Sequence, residues 1–314
     1  MTTPRTNFIG INVSGEHVRA ALVDEHGSIV EGRIGGISKE LIPQLAAMIE
    51  DLRSLQGSVA AIGVAVPGLV NRQTDRVEFP RDLPSNMVED LHGELTRATG
   101  LRVEIENDAN AAAYGEYKVG AGRGSRNLFY MMIGNGIGGA IILDGKLWTG
   151  ASGFAGEVGH ITIDTEGLDC VCGNRGCLET VASAPSIVRR ARERLNRDST
   201  SSLSRLALNK SFTAEDVAHQ ANEGDDFALM MIERTGKYIG TGVASVINLL
   251  NIELIVLGGG VMDAGSLILN PIIQEAKRRA FQPCFEATEI VAAKLGLDAA
   301  PIGAAMLARD AIVS

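Results

Sequence analysis

Gly134-Asn135-Gly136-Ile137-Gly138-Gly139 is the stretch on which the fold turns. Its spacing satisfies G-x-G-x-x-G, the pattern that opens the first helix of a dinucleotide-binding unit. The residues after it do not suit a helix. Ala140 to Leu143 is apolar, Asp144-Gly145 is a hairpin turn signal, and Leu147 and Trp148 lie beyond it. With Leu128 to Ile133 as the preceding strand and Gly138 to Leu143 as its partner, the glycines form a hairpin whose amides can cradle phosphates. A nicotinamide-dependent dehydrogenase is set aside on this ground. No G-x-x-x-x-G-K-[ST] loop occurs, so the chain is not a P-loop enzyme.

Upstream lies a comparable block. Phe8 to Val13 and Val18 to Val23 read as strands joined at Ser14-Gly15-Glu16, and Glu25-His26-Gly27 turns into Ile29 and Val30, making a β-meander. Leu41, Leu45, Met48, Ile49 and Leu52 give Lys39 to Leu55 helical spacing. Val59 to Val66 is a near-continuous apolar strand ended by Pro67-Gly68. Val103 and Ile105 alternate with charges, and Ala109 to Tyr117 reads as a helix. Downstream, Pro185 to Asn196 is a basic helix and Asp198 to Ser204 a serine-rich loop. Phe227 to Leu250 is a long helix, Ile252 to Leu257 a buried strand ending in Gly258-Gly259-Gly260, and Leu267 to Ala280 and Pro301 to Ala308 are helices. Two strand-led blocks predict a duplicated two-domain α/β protein. The expected division is 1–118, joined by a C-terminal helix at 301–314, and 119–300, with the boundary in the Gly-rich Val119 to Ser125.

Composition narrows the function. A chain of 314 residues, 45% hydrophobic and 21% charged, can bury two cores and shows no disorder signature. The net charge of −9 disfavours nucleic acid as a partner, because phosphate binding needs Lys and Arg to displace counterions. Met1 to Thr6 is polar and does not read as a signal peptide. Thr241, Asn248, Asn251 and Glu253 interrupt the apolar Ile239 to Met262, so no membrane span is expected. The expectation is a cytoplasmic protein.

Three of the four cysteines, Cys170, Cys172 and Cys177, fall within eight residues, with His160 ten residues upstream. Three thiolates and an imidazole suit a closed, structural tetrahedral zinc site. Three unliganded thiols beside a surface His are the alternative. Glu106-Asn107-Asp108-Ala109-Asn110 ends a strand and opens a helix of small residues. Asp108 can accept a proton from a hydroxyl while Asn107 binds a neighbouring one, but Asp108 also suits a plain helix cap. Glu157, three residues before His160, and Glu179, two after Cys177, would be held by a bound metal and could grip sugar hydroxyls, or could be two solvated glutamates. Gly258-Gly259-Gly260 would let a nucleotide approach the backbone, or would simply turn the chain.

Taken together, Glu106 to Glu116, Glu157 to His160 and Cys170 to Glu179 resemble the ROK family of sugar kinases and sugar-responsive repressors, over nearly the whole chain. Cys-Gly-Asn-Arg-Gly-Cys-Leu-Glu is most similar to bacterial glucokinases. The resemblance implies an actin-like, RNase H-like two-domain ATPase fold with a cleft between domains. It implies Asp108 as general base, sugar contacts from Gly68, Asn107, Asp108, Glu157, His160 and Glu179, and zinc held by His160, Cys170, Cys172 and Cys177. Nucleotide contacts would come from Asn12, Ser14, Gly15, Gly134, Asn135, Gly136, Gly258, Gly259 and Gly260. The implied reaction is ATP- and Mg²⁺-dependent phosphorylation of a hexose at its 6-hydroxyl, with glucose as the implied substrate, structural Zn²⁺ and a homodimeric state.

The chain departs from the family at its first phosphate loop. Where the family has Asp-x-Gly-Gly-Thr, this chain reads Asn12-Val13-Ser14-Gly15-Glu16. If Glu16 faced bound phosphate, unit charges about 4 Å apart would repel by about 1 to 4 kcal/mol at high to intermediate dielectric. Asn135 replaces a Thr, and Pro80-Arg81-Asp82-Leu83-Pro84 replaces the usual Asn-Leu-Pro segment near the sugar. A catalytically impaired sugar-binding pseudokinase or sensor is therefore the alternative function. A repressor would need an N-terminal DNA-binding domain, for which a first strand beginning at Phe8 leaves no room.

Overall fold

A computed structural model describes residues 6–55, 58–80, 83, 90–195, 201–209 and 211–313. The chain opens with β1 (Thr6–Val13), β2 (His17–Asp24) and β3 (Ile29–Gly36), then α1 (Leu41–Arg53) and β4 (Ser58–Val66). A hairpin of β5 (Leu69–Asn71) and β6 (Arg76–Glu78) precedes α2 (Leu91–Thr99), β7 (Arg102–Asn107) and α3 (Asp108–Val119). β1 to β3 are antiparallel, with Ile11 opposite Ala20; β4 joins β1 and β7 joins β4 in parallel. The sheet order is β3-β2-β1-β4-β7. Central strands β1 and β4 are apolar runs because both their faces are covered. β3 lies at the edge and is largely exposed, which explains why its composition gave only a short strand signal.

The second block repeats the plan with β8 (Leu128–Ile133), β9 (Ile137–Leu143) and β10 (Lys146–Trp148). A 3₁₀ turn at Val158–His160 leads to α4 (Glu179–Ala182), α5 (Ala184–Leu195), α6 (Ser202–Asn209), α7 (Ala214–Asn222) and α8 (Asp226–Leu250). Then come β11 (Leu254–Gly258), a 3₁₀ turn at Gly260–Ala264, α9 (Ser266–Arg279), α10 (Gln282–Glu286), β12 (Glu289–Ala292), a 3₁₀ turn at Gly296–Asp298 and α11 (Ala299–Val313). The order β10-β9-β8-β11-β12 ranks the strands as in the first sheet: third, second, first, fourth, fifth. Here too the fourth and fifth strands add in parallel.

The chain divides into two compact units, one of Met1–Arg126, Ala140–Ala155 and Leu297–Ser314, the other of Asn127–Gly139 and Gly156–Gly296. In the first, α1 buries Leu41, Leu45, Ile49 and Leu52 against the sheet. On the opposite side α11 lies against β1, β4 and α3 at backbone contact. A Cβ at Gly10 would stand 1.8 Å from Pro301 O, and one at Gly63 1.9 Å from Ala304 O, so only glycine permits this approach. In the second, α8 buries one continuous face, from Phe227 through Met231, Thr235, Ile239 and Val243 to Ile247.

Part of the expected Asp198 to Ser204 loop is corrected. Ser202 to Ser204 begin α6, because Asp225 anchors them: its carboxylate accepts from the Ser202 N–H at 2.7 Å and from the Ser201 hydroxyl at 2.9 Å. Asp198 to Thr200, like Asn196 of the basic helix, lie outside the described residues. α2, α7, the β5–β6 hairpin and β12 were not anticipated. For α7 a signal existed in Thr213 and Asp216, which form a reciprocal capping box. Among the described residues no helix is long and apolar enough to cross a membrane.

Candidate active site and metal centre

In the first unit, β4 and β7 end side by side, with Val66 paired to Asn107. Asn107 is the N-cap of α3: its Oδ1 accepts the Asn110 N–H at 3.0 Å. The capping role left open for Asp108 therefore belongs to its neighbour. Asn107 Nδ2 donates to Gly68 O at 2.9 Å and to Asp108 Oδ1 at 3.2 Å, and the Ala109 N–H donates to the same Asp108 oxygen at 2.8 Å. Gly68, Asn107 and Asp108 are thus one hydrogen-bonded group. Gly68 has φ of +120°, and a Cβ there would meet Phe79 O at 2.9 Å. Phe79 itself is 78% exposed at φ +47°, a strained conformation for a bulky side chain. Beyond it, Arg81, Asp82 and Pro84 lie outside the described residues.

Beneath this group sits Glu106, which the sequence placed only at a strand end. It is buried, accepts the Asn107 N–H at 2.8 Å and Asn110 Nδ2 at 3.0 Å, and forms an ion pair with Arg72 Nη2. Burial lowers the Arg72 guanidinium from its usual pKa, opposed by Glu104 and Asp75. Arg72 follows β5, 34 residues from Glu106, and no sequence motif marks it.

Asn12 lies near the end of β1, paired with Arg19, and Ser14 and Gly15 form the turn to β2. The Ser14 hydroxyl donates to His17 O at 2.8 Å and accepts the His17 N–H at 3.0 Å. The Glu16 side chain is 81% exposed, its carboxylate 3.9 Å from His17 Nδ1. Asn12 Oδ1 is buried without a hydrogen-bond donor among the described residues. It is a hard oxygen able to accept from a water on a bound Mg²⁺.

In the second unit, His160, Cys170, Cys172 and Cys177 place their ligand atoms within 4.8 Å of one another. Cys172 and Cys177 sulfurs are 3.7 Å apart, and Cys170 Sγ is 3.5 Å from His160 Nδ1. A tetrahedral zinc with bonds of about 2.3 Å to sulfur and about 2.0 Å to nitrogen has edges of about 3.8 Å and about 3.5 Å. The four residues therefore fit the ion. Burial pushes the Cys177 thiol up to about 12, while the Asn174 backbone N–H holds the Cys172 thiol below its usual value. His160 Nε2 lies 3.8 Å from Glu157 Oε2. Glu179, at the start of α4, is buried, and its Oε2 accepts the Ile137 N–H at 2.8 Å.

That bond reaches the glycine hairpin. The Gly134 N–H donates to Gly136 O at 2.9 Å, and the Ala184 N–H at the head of α5 donates to Gly134 O at 2.8 Å. Asn135 stands between the two glycines. The hairpin reading of Gly134 to Gly139 holds, since β8 ends at Ile133 and its neighbour β9 begins at Ile137. At the end of β11, Gly259 has φ of +91°, and a Cβ there would stand 2.3 Å from Ile133 O. Packing against β8 alone thus requires glycine at 259. Gly258 ends β11 and Gly260 opens the following 3₁₀ turn.

The model of the ROK family matches residues 8–311. The chain belongs to the ROK family. It is 34% identical to a glucokinase of Streptomyces coelicolor over 310 residues, covering 96% of this chain and 97% of that protein. It is 29% identical over 310 residues to the xylose repressor of Bacillus subtilis, of which it spans 77%. A ROK family glucokinase from Streptomyces griseus, solved in complex with glucose and AMPPNP, superposes with a TM-score of 0.85 at 32% identity, covering 97% of this chain and 99% of that one. The duplicated sheets are accordingly those of the actin-like, RNase H-like two-domain ATPase fold of the ROK sugar kinases.

Proposed function

We propose that this ROK protein is an ATP-dependent hexose kinase that phosphorylates the 6-hydroxyl of glucose. The observation that carries the reading is the Gly68–Asn107–Asp108 group, in which a carboxylate is oriented by two donors and backed by the buried Glu106. Asp108 would take the proton of the attacking hydroxyl, and Asn107 and Gly68 would orient the sugar. Glu157, His160 and Glu179 would bind further hydroxyls, with the zinc ligands His160, Cys170, Cys172 and Cys177 fixing their loop. Zinc would supply structure, and Mg²⁺ held near Asn12 would offset charge on the transferring phosphate. Nucleotide would lie on the amides of Ser14 and Gly15, on Gly134, Asn135 and Gly136, and on Gly258, Gly259 and Gly260.

Glu16 bears on the competing reading, a sugar-binding sensor. A carboxylate 81% exposed is screened by water. Its repulsion with phosphate about 4 Å away then falls near about 1 kcal/mol, the value in bulk solvent. That weakens nucleotide binding by less than about tenfold and favours the kinase. The sensor keeps one support, the uncharged Asn12. Hexose-dependent ADP release, measured across glucose, mannose, N-acetylglucosamine and N-acetylmannosamine, tests the proposal. Turnover with glucose is expected; tight sugar binding by calorimetry with no ATP binding would make the chain a sensor. The family resemblance also supports a homodimer, which light scattering of the purified chain tests, while the net charge of −9 speaks against a nucleic-acid partner.

A further inference from the structure

The basic helix α5 has no part in the kinase reading, and its charge is only partly compensated. Arg189 is engaged: Nη1 donates to Glu193 at 2.9 Å and Nη2 to Thr180 O at 2.9 Å. Arg192 lies over the Phe212 ring at 5.5 Å. Arg190 differs. It is 8% exposed, its Nη2 donates to the buried Thr235 hydroxyl, and its guanidinium lies 5.3 Å from the Tyr238 ring centroid. Nε and Nη1 are buried with no hydrogen-bond partner among the described residues.

From α8, Arg234 stands 5.9 Å from the same ring and donates through Nε to the Tyr238 hydroxyl at 3.2 Å. Arg194, four residues beyond Arg190, shares its helix face. Among the described residues none of Arg190, Arg194 and Arg234 forms an ion pair with a carboxylate. Burial, opposed by Tyr238 and assisted by repulsion from Arg234, Arg189 and Arg194, lowers Arg190 to about 10. Buried cations are ordinarily paired, and buried donors ordinarily bonded. A concentrated positive charge with two unmet donors, in a chain of net charge −9, has the donor set of an oxyanion site.

We propose that Arg190, Arg194 and Arg234, on facing stretches of α5 and α8, bind a phosphate group, as inorganic phosphate or as a phosphomonoester. Arg190 supplies the buried donors. Side-chain rotation admits the anion, because Arg190 Nε and Nη1 are closed to solvent. The site requires no phosphoryl transfer, so it stands whether the chain is a kinase or a sensor.

Thermal unfolding of the full chain at fixed ionic strength tests it, with inorganic phosphate, glucose 6-phosphate and potassium chloride as additives. Phosphate well above its Kd is expected to raise Tm by on the order of 2 to 4 °C, and chloride to leave it unchanged. Arg190→Met removes an unpaired buried charge, so its Tm without phosphate is expected to equal or exceed that of the parent while the phosphate shift disappears. Arg194→Gln and Arg234→Gln alter side chains nearer the surface and should each weaken the apparent phosphate affinity about tenfold, roughly the effect of one charge-assisted hydrogen bond. They decide the matter if Arg190→Met fails to fold. Tighter binding of the sugar phosphate that is lost in these variants marks a phosphomonoester site, and equal variant-sensitive binding a free-phosphate site. No shift in the parent chain, or one that survives in all three variants, overturns the proposal.

Discussion

Glu179 Oε2 accepts the Ile137 backbone N–H at 2.8 Å, and through that bond the loop carrying Cys177 holds the start of β9. Both residues are buried, Ile137 at 3% exposure. Glu179→Ala would leave the N–H without a partner, at a cost of about 1 to 3 kcal/mol. Glu179→Gln keeps a carbonyl acceptor and should lose less. Urea unfolding reads both, and hydrogen exchange at the Ile137 amide should accelerate in the Ala variant beyond its neighbours in β8.

One zinc per chain is expected by elemental analysis of the purified protein. Replacing the buried Cys177 by Ser should abolish retention of the metal after dialysis against a chelator. It should also lower Tm, since structural zinc binding in small domains contributes about 10 to 16 kcal/mol to folding. Because Glu179 lies two residues beyond Cys177, chelation should speed Ile137 amide exchange as well. That readout is independent of activity.

Asp108→Asn preserves the shape of the side chain and removes the proposed base. Turnover should fall by about 10² to 10⁴, with glucose affinity by calorimetry little changed. Equal losses in sugar affinity and in rate would instead make Asp108 a binding residue.

Arg72 is the cationic partner of the buried Glu106 among the described residues. Arg72→Met should destabilise by about 1 to 3 kcal/mol, below the value for a fully buried pair because the arginine is partly exposed. A double-mutant cycle with Glu106→Gln, followed by urea unfolding, should recover part of that loss. In the kinase reading, kcat should fall more than glucose affinity in Arg72→Met, because Glu106 holds the Asn107–Asp108 turn.

Glu275 sets an acid limit. Hydrogen bonds from Arg278 and then Arg279 hold its carboxyl at about 2, against the opposing effect of burial. A depressed carboxyl stabilises the fold fully above its unfolded pKa, and the contribution is lost as pH falls from about 4.5 to about 2. Stability measured by urea across that window should decline, and Glu275→Gln should flatten the decline.

Much of the plan was legible before any contact was known. The apolar runs of β1, β4, β8 and β11, the row of leucines on α1 and the turn signal Asp144-Gly145 are local patterns, and they placed the strands in two equivalent blocks. The spacing of Cys170, Cys172 and Cys177 is local as well, so the metal site could be named with three ligands on one short loop. Less legible were elements with little apolar content, such as the edge strand β3 and α2, whose positions are stabilised by neighbours rather than by their own sequence.

Three things were decided only by tertiary structure. Arg72 meets Glu106 across 34 residues, Glu179 meets Ile137 across 42, and Arg190 meets Thr235 across 45. Helical and strand periodicity report which face of an element is buried, because each repeats within a few residues. Partners tens of residues apart share no period, and only the folded chain brings the charge of one beside the hydrogen-bonding groups of the other.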